Sequence, residues 1–551
     1  MYFIKNKILI VVGLMLTMVF SCKDLDELNI NPNGPDPEDT DPYLLMATVL
    51  SGAGTSVVNL GYGDLAGVMQ HTQKDGWGGS HNSYEWTSSS QGWNGYYRIL
   101  GNNQDMFLKS EALGYEFAMG VGLVMKSYVF GLITDLYGDA PYSEALLGDD
   151  DAYREPKFDR QQDILNGIFA DLETANTLLS KSVSEYNYIN KTQDIIYEGS
   201  PSKWRKFANS LALRYYMRLS VKDPGTAQTG IAKIVGDPTT YPIITSANDD
   251  ANMDYVGANS SNSWPKNYVF DTGGGSDFRR VKMCATLVDA MKLLNDPRLD
   301  QWAARVEIPI EVNEDENSTD EITDGIRYVS RNLVDDYEAD FGIPLNTSTD
   351  FVGMPPAALQ TPSAFNMSPD LNQASTNPHV SWVNAQFTEA SGDNLKARLI
   401  TAAEVNFILA EAALNGWIGN AEEYYNAGIQ ASFEAWGIGD EYDDYMTETG
   451  VAYDATQAQI INQKWISSWA HAAESWFDYR RTGLPDLQTG QWVKRDAIPV
   501  KFYYPLDEEF YNQSNAEAAI ANLEKTTFNG ADPQNSAWSK PWIIQGTGKP
   551  W

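Results

Sequence analysis

"TAAEVNFILAEAALNGWIGNAEEYYNAGIQASFEAWG", Thr401 to Gly437, is the stretch whose reading decides the fold. Apolar and small residues run without a breaker from about 402 to 415, which predicts a helix stopped by Gly416. Asn420 then stands where a second helix needs a cap, with Glu423 placed to reach back to it. Gly437 ends that helix. Ala410, Ala413, Ala427 and Ala431 leave room for the two helices to approach closely. A helix–turn–helix pair of this length has tetratricopeptide size but lacks the full tetratricopeptide signature, so the expectation is a tetratricopeptide-like hairpin. Units of this kind stack into a curved scaffold.

The same period recurs along the chain. In "SPSKWRKFANSLALRYYMRLS" (200–220), Ser200 and Pro201 suit a helix start. Trp204, Phe207, Ala208, Leu211, Ala212, Tyr215 and Leu219 then fall on one face. In "FDRQQDILNGIFADLETANTLLS" (158–180), Ile164, Leu165, Ile168, Phe169, Leu172 and Leu179 trace another stripe. Between helices lie stretches without a clear period, about 60–92, 237–280 and 300–395, rich in Gly, Pro, Ser, Asn and Asp. Loops this long in a compact fold are usually functional. A few short strands are expected inside them, as near "GIRYVS" (325–330). The fold class expected is mainly α, with tetratricopeptide-like helix pairs, long irregular loops and a few short strands in a single domain over 43–551.

The start of the chain reads differently. Lys5 and Lys7 precede an apolar run from Ile8 to Phe20, too short to span a bilayer but suited to a secretory signal peptide over 1–21. Ser21 and Cys22 follow as at a lipoprotein cleavage site, so the Cys22 thiol is expected to carry the lipid that anchors the protein. Residues 22–42 read as a polar, proline-containing tether. No apolar run after Phe20 is expected to reach membrane-spanning length. With Cys22 acylated, only Cys284 remains and no internal disulfide forms. The net charge of −35 excludes a nucleic-acid binder, which needs a basic footprint.

Aromatic residues make up 12% of the chain, including 16 Trp and 30 Tyr, and two loops combine them with polar partners. "QKDGWGGSHNSYEWTSSS" (73–90) holds Trp77, Tyr84 and Trp86, with His81, Asn82 and Glu85 between them. "GANSSNSWPKNYVFDTGGGSDFRR" (257–280) holds Trp264, Asn267, Tyr268 and Asp277, with three glycines that permit close approach. Flat rings suit the apolar face of a sugar, and amides and carboxylates suit its hydroxyls. The competing reading is that each loop buries its own rings. Catalytic and metal signatures are absent. The four histidines, His71, His81, His379 and His471, form no compact zinc spacing, and there is no GxSxG elbow and no phosphate loop. No cofactor or metal is expected. The acidic run "EVNEDENSTDEITDG" (311–325) departs from the EF-hand pattern and reads as a solvated loop.

Five segments, in order, resemble the SusD/RagB family of outer-membrane nutrient-binding lipoproteins. They are "DLYGDAPYSEAL" (135–146), "DPRLDQW" (296–302), "RLITAAEVNFILAEAAL" (398–414), "ESWFDYRRTGLP" (474–485) and "VKFYYPLDEEF" (500–510). Read for themselves, Trp476, Phe477 and Tyr479 are core, and Arg480 and Arg481 pair with carboxylates. The resemblance implies four tetratricopeptide-like helix pairs and a non-catalytic function. It also implies a SusC-like, TonB-dependent outer-membrane transporter as partner, and a cargo that is an oligosaccharide or, in some members, a peptide. It implies a ligand-contacting aromatic loop just before the helix that starts near Trp93, which favours Trp77 and Trp86, while Trp93 itself packs. The alternatives are a helical glycoside hydrolase, which needs two placed carboxylates, a peptide-binding member of the same family, and a structural surface protein without a small ligand.

Overall fold

The computed structural model describes residues 40–548, apart from 89–90, 149–150, 274–276, 315–317 and 373–375. The signal-peptide reading, Cys22 and most of the tether lie outside the described residues. The longer helices are α1 (Pro42–Gly61), α2 (Trp93–Leu113), α3 (Glu116–Tyr137), α4 (Gln161–Leu178), α5 (Pro201–Arg218), α6 (Pro224–Gly236), α7 (Ala402–Leu414), α8 (Ala421–Ala435), α9 (Gln457–Ser467) and α10 (Ala472–Thr482). They pack as four pairs, α1 with α2, α3 with α4, α5 with α6 and α7 with α8. Cross-contacts of α2 with α3 and α4 with α5 join neighbouring pairs into a continuous stack. The fold is mainly α, as expected.

The α7–α8 hairpin shows why this stretch folds as it does. Gly416 ends α7 at φ +75° and Gly437 ends α8 at φ +73°, a conformation that costs glycine little. Ala410 and Ala431 are buried in the hairpin. The tightest approach is at Gly428, where an added Cβ would lie 2.8 Å from the Phe407 ring. Asn420 does occupy the cap position, but at φ +69° and with no side-chain hydrogen bond to the helix. The left-handed turn points its amide away from the orphan N–H groups, so the expected capping box is not formed.

Two helical stretches, Pro42–Val68 and Glu116–Tyr137, are long and apolar enough to cross a membrane. This corrects the expectation that no such run follows Phe20. In α3 the reason is packing: from Phe117 to Tyr137 nearly every residue is buried. A helix apolar all round is what the centre of a helical stack requires.

The strands are short: β1 (Thr72–Lys74), β2 (Ala140–Pro141), β3 (Phe158–Asp159), β4 (Ala251–Asp254), β5 (Val281–Met283), β6 (Ile310–Asn313), β7 (Asp320–Thr323), β8 (Ile326–Ser330) and β9 (Lys396–Ile400). β2 pairs with β3 and β4 with β9, both antiparallel. β8 lies between parallel β6 and antiparallel β7, in the acidic 311–325 region. There Asp320 meets Arg327 at 2.7 Å and Glu314 meets Arg331 at 2.8 Å. β1 pairs with β5, antiparallel, with Lys74 opposite Val281. The Asp75 N–H donates to the Arg280 carbonyl and extends the pairing by one step.

The motif segments meet in a buried ionic junction. Arg214 of α5 holds Glu404 at 2.6 Å, and Arg218 holds Glu474 at 2.5 Å and Asp135 at 3.1 Å. Arg481 holds Glu411 at 2.5 Å and Asp478 at 2.8 Å, and Lys464 holds Asp478 at 2.7 Å. Arg480 instead donates mainly to the carbonyls of Asp135 and Val500. Trp476, Phe477 and Tyr479 are core residues. These side chains bind α3, α5, α7, α9 and α10 together.

Candidate ligand-binding site

Strand pairing brings the two aromatic loops side by side. The chain leaves β1 through Asp75-Gly76-Trp77 and enters β5 through Asp277-Phe278-Arg279-Arg280, and the β1–β5 register places these ends in contact. Trp77 is 71% exposed. One face of its indole lies 3.9 Å from the Arg280 guanidinium, a cation–π stack. Its backbone sits at φ +52°, unusual for a bulky residue. Strain of that kind tends to collect at functional sites. Gly76, Gly78 and Gly79 flank it.

The second loop adds Tyr268 and Phe270, 47% and 42% exposed. The Tyr268 ring meets Phe278 edge-on at 5.2 Å, with the Arg279 guanidinium 5.9 Å from the Tyr268 ring centre. On the far side of β5, Lys282 lies 4.0 Å from the Trp382 ring, and the two residues are bridged through the backbone. Arg280 immediately precedes β5 and Lys282 lies within it. Trp77, Tyr268 and Trp382 thus each have a cation beside or beneath the ring.

Asp277 holds the loops together electrostatically. It pairs with Lys74 at 3.0 Å and with Lys266 at 3.9 Å. Burial alone would raise its carboxyl, but Lys266 and Lys74 hold it below the usual range. Burial pushes the Lys266 and Lys282 ammonium groups down to about 8. Lys282 pairs with Asp75 at 3.2 Å.

Six residues read from the sequence as ligand contacts serve the fold instead. The Trp86 ring packs edge-on against Phe502 and Trp476, and its Nε1 donates to the Ser80 carbonyl. Trp264 is fully buried among Tyr62, Tyr255 and Phe387. Tyr84 is 1% exposed. His81 is buried, 3.0 Å from the Thr72 hydroxyl, and burial pushes its imidazole down to about 4. Asn82 clamps the loop by accepting from the Lys74 N–H and donating to the Lys74 carbonyl. Asn267 closes a turn through the Trp264 carbonyl and the Phe270 N–H. Asn82 and Asn267 hold the shape of their own loops, and Trp86 and Trp264 dock those loops onto the core. Trp77, Tyr268 and Asp277 stay at the surface, while Trp93 packs, as expected, with Nε1 on Glu508. Arg279, Arg280, Phe270 and Trp382 were not singled out from the sequence. The signal was present in "DFRR", where arginines follow an aromatic in a glycine-rich loop.

A polar cavity of about 600 Å³ opens elsewhere, between α1, α2 and the loop after β4, lined by residues such as Thr55, Asn59, Arg98 and Asn102. Its one aromatic, Tyr255, is 8% exposed, so it offers no open ring face. Among the described residues no group of three or more His, Cys, Asp or Glu could hold a metal ion.

A family model described as SusD-like, "Starch-binding associating with outer membrane", matches residues 37–505. Solved structures share the fold. An outer-membrane protein of Bacteroides vulgatus, described in connection with nutrient binding, is 24% identical, with a TM-score of 0.69 over 92% of this chain and 100% of its own. A SusD homologue of Bacteroides fragilis is 24% identical, with a TM-score of 0.66 over 92% and 99%. A chitin-binding protein is 22% identical, with a TM-score of 0.68 over 92% and 100%. No curated protein matches the chain.

Proposed function

This chain belongs to the SusD-like family, and from that premise we propose that it captures an oligosaccharide at the cell surface and delivers it, uncleaved, to a SusC-like TonB-dependent transporter. The observation that carries the reading is the exposed Trp77 indole, strained outward, backed by Arg280 and flanked by Tyr268 and Phe270. An open ring face takes up the C–H face of a sugar, and neighbouring polar groups meet its hydroxyls. Several rings in a row favour an oligomer over a single sugar, because association entropy is then offset by more than one contact. Asp277 and the lysines hold the loops in place, so little order is lost on binding. The family's association with the outer membrane supports the location, and lipid on Cys22 would supply the anchor.

Calorimetric titration with a panel of oligosaccharides tests the proposal. Trp77→Ala is expected to weaken binding at least about tenfold, the scale of an interfacial aromatic anchor. Its melting temperature falls by no more than about 2 °C, because the ring is exposed and only its cation–π contact with Arg280 is lost. Trp86→Ala behaves in the opposite way. It removes a buried indole at a cost of about 3–5 kcal/mol while leaving the ring that faces the ligand in place. Undiminished titration curves for Trp77→Ala, or cleavage of any panel member by the purified protein, would overturn the proposal. Anchoring is checked separately: Cys22→Ser should move the protein from the membrane to the soluble fraction, since the acyl chains supply the membrane affinity.

A further inference from the structure

The charge around the rings runs against the rest of the molecule. The chain carries 74 acidic and 39 basic residues. Yet five cations, Lys74, Lys266, Arg279, Arg280 and Lys282, gather at the aromatic patch, with only Asp75 and Asp277 in ion-pair contact with them. Neither Arg279 nor Arg280 has a carboxylate within 4 Å among the described residues, and the Nε of each is buried with no hydrogen-bond partner. Arg280 is only 3% exposed. Arg214, Arg218, Arg298 and Arg481, buried to a similar degree, each hold a carboxylate oxygen at 2.5 to 2.6 Å, and Arg480, whose Nε is also unpartnered, donates to two backbone carbonyls. An unpaired buried cation is costly and calls for a counter-charge. The Trp77 face supplies part of it through the ring quadrupole. It leaves the Nε–H of Arg280 without a partner.

We propose that the ligand taken up at this patch is an anionic oligosaccharide, carrying carboxylate or sulfate-ester groups that seat on Arg279, within the field of the buried Arg280, while its sugar rings lie on Trp77 and Tyr268. The inference rests on the oligosaccharide-capture reading and names its substrate class. Arg279, half-buried at the edge of Tyr268, donates to the anion directly. Arg280 lies beneath the indole and adds charge that water screens weakly. A guanidinium can grip either kind of oxyanion with two parallel N–H groups. The surplus of positive charge also draws the ligand to this patch on an otherwise repelling surface.

The test is a titration of the full lipid-free chain against three oligosaccharides of similar length: a neutral glucan, an oligogalacturonate, which carries only carboxylates, and a kappa-carrageenan fragment, which carries only sulfate esters. At low salt, at least one charged ligand is expected to bind about tenfold or more tighter than the neutral one, the scale of a charge-assisted contact. That preference should shrink several-fold at about 0.5 M salt, where the screening length falls to a few ångströms. Arg279→Gln should weaken binding of the charged ligand several-fold more than that of the neutral glucan, and so reduce the preference, with the fold retained. Arg280→Gln should do the same if it folds, and the wild-type salt dependence decides the matter if it does not. A preference for the carboxylate or for the sulfate ester identifies which anion the site selects. Equal affinity for neutral and charged ligands, or binding of the neutral glucan alone, overturns this inference and leaves oligosaccharide capture standing. Binding of none of the three, with binding of a peptide panel instead, overturns both.

Discussion

Arg218→Met is expected to destabilise the protein by about 3–5 kcal/mol, the scale for removing one partner of a buried charge group. The guanidinium is 4% exposed as a residue and is surrounded by Asp135, Glu474 and Asp478, with the Phe477 ring 4.8 Å away. Methionine fills much of the volume but leaves carboxylates without water and without a counter-charge. For a chain of this size that corresponds to a melting temperature lower by about 3–5 °C. Scanning calorimetry of the variant reads it directly. Adding Glu474→Gln should restore part of the loss, since a buried carboxylate is then neutral, and the two substitutions should be strongly non-additive. Oligosaccharide affinity of the folded variant should equal that of the wild type, because the junction does not touch the aromatic patch. A fall of less than about 1 °C would show that the ionic junction contributes little.

The second large effect is with pH. All four histidines, His71, His81, His379 and His471, are buried. Burial pushes His71 down to about 3, and His81 and His471 each down to about 4, from an ordinary 6.5; His379 is also lowered. The unfolded chain therefore takes up protons as pH falls below 6.5, while the folded chain does not. Stability rises with pH across that window and is lost progressively from about pH 6.5 towards 4. Each histidine contributes about 1.4 kcal/mol per pH unit once it is fully in the window. Three such groups are offset by one proton at Asp250, whose carboxyl burial raises to about 7, so the slope approaches about 3 kcal/mol per unit near pH 5. Urea midpoints measured from pH 7.5 to 4.5 should trace it. Replacing His71 by Gln should lower the slope by about one proton, whatever it does to the absolute value. A flat profile would show that these imidazoles are charged in the fold or that water reaches them.

The helices were legible because packing repeats every three to four residues and glycine stops it. Gly416 and Gly437 mark the ends of α7 and α8 for that local reason. The cap at Asn420 was misread because a cap depends on backbone direction, which the residue type does not fix. The expectation that no run after Phe20 reaches membrane-spanning length failed at α3, where Gly, Ser and Tyr interrupt the strictly apolar residues and yet the whole helix is buried. At the candidate site, composition picked both loops. It could not tell which rings face out. Trp86 and Trp77 are nine positions apart in the same glycine-rich loop, yet Trp86 is claimed by Phe502 and Trp476 from the far end of the chain. The cation row was missed because Arg280 gains its meaning only when β1 meets β5, a pairing set by tertiary packing and invisible in either segment alone.

That three-residue clasp has a consequence for how such a molecule changes over time. The grip on cargo hangs from two short ribbons, and the great bulk of stabilising contacts lies in the helical stack behind them. The exposed positions beyond the clasp, Trp77, Tyr268 and Phe270, can therefore be exchanged with little penalty to folding, whereas their neighbours Trp86 and Trp264 cannot. The molecule behaves as a fixed handle whose outermost side chains alone are free to vary.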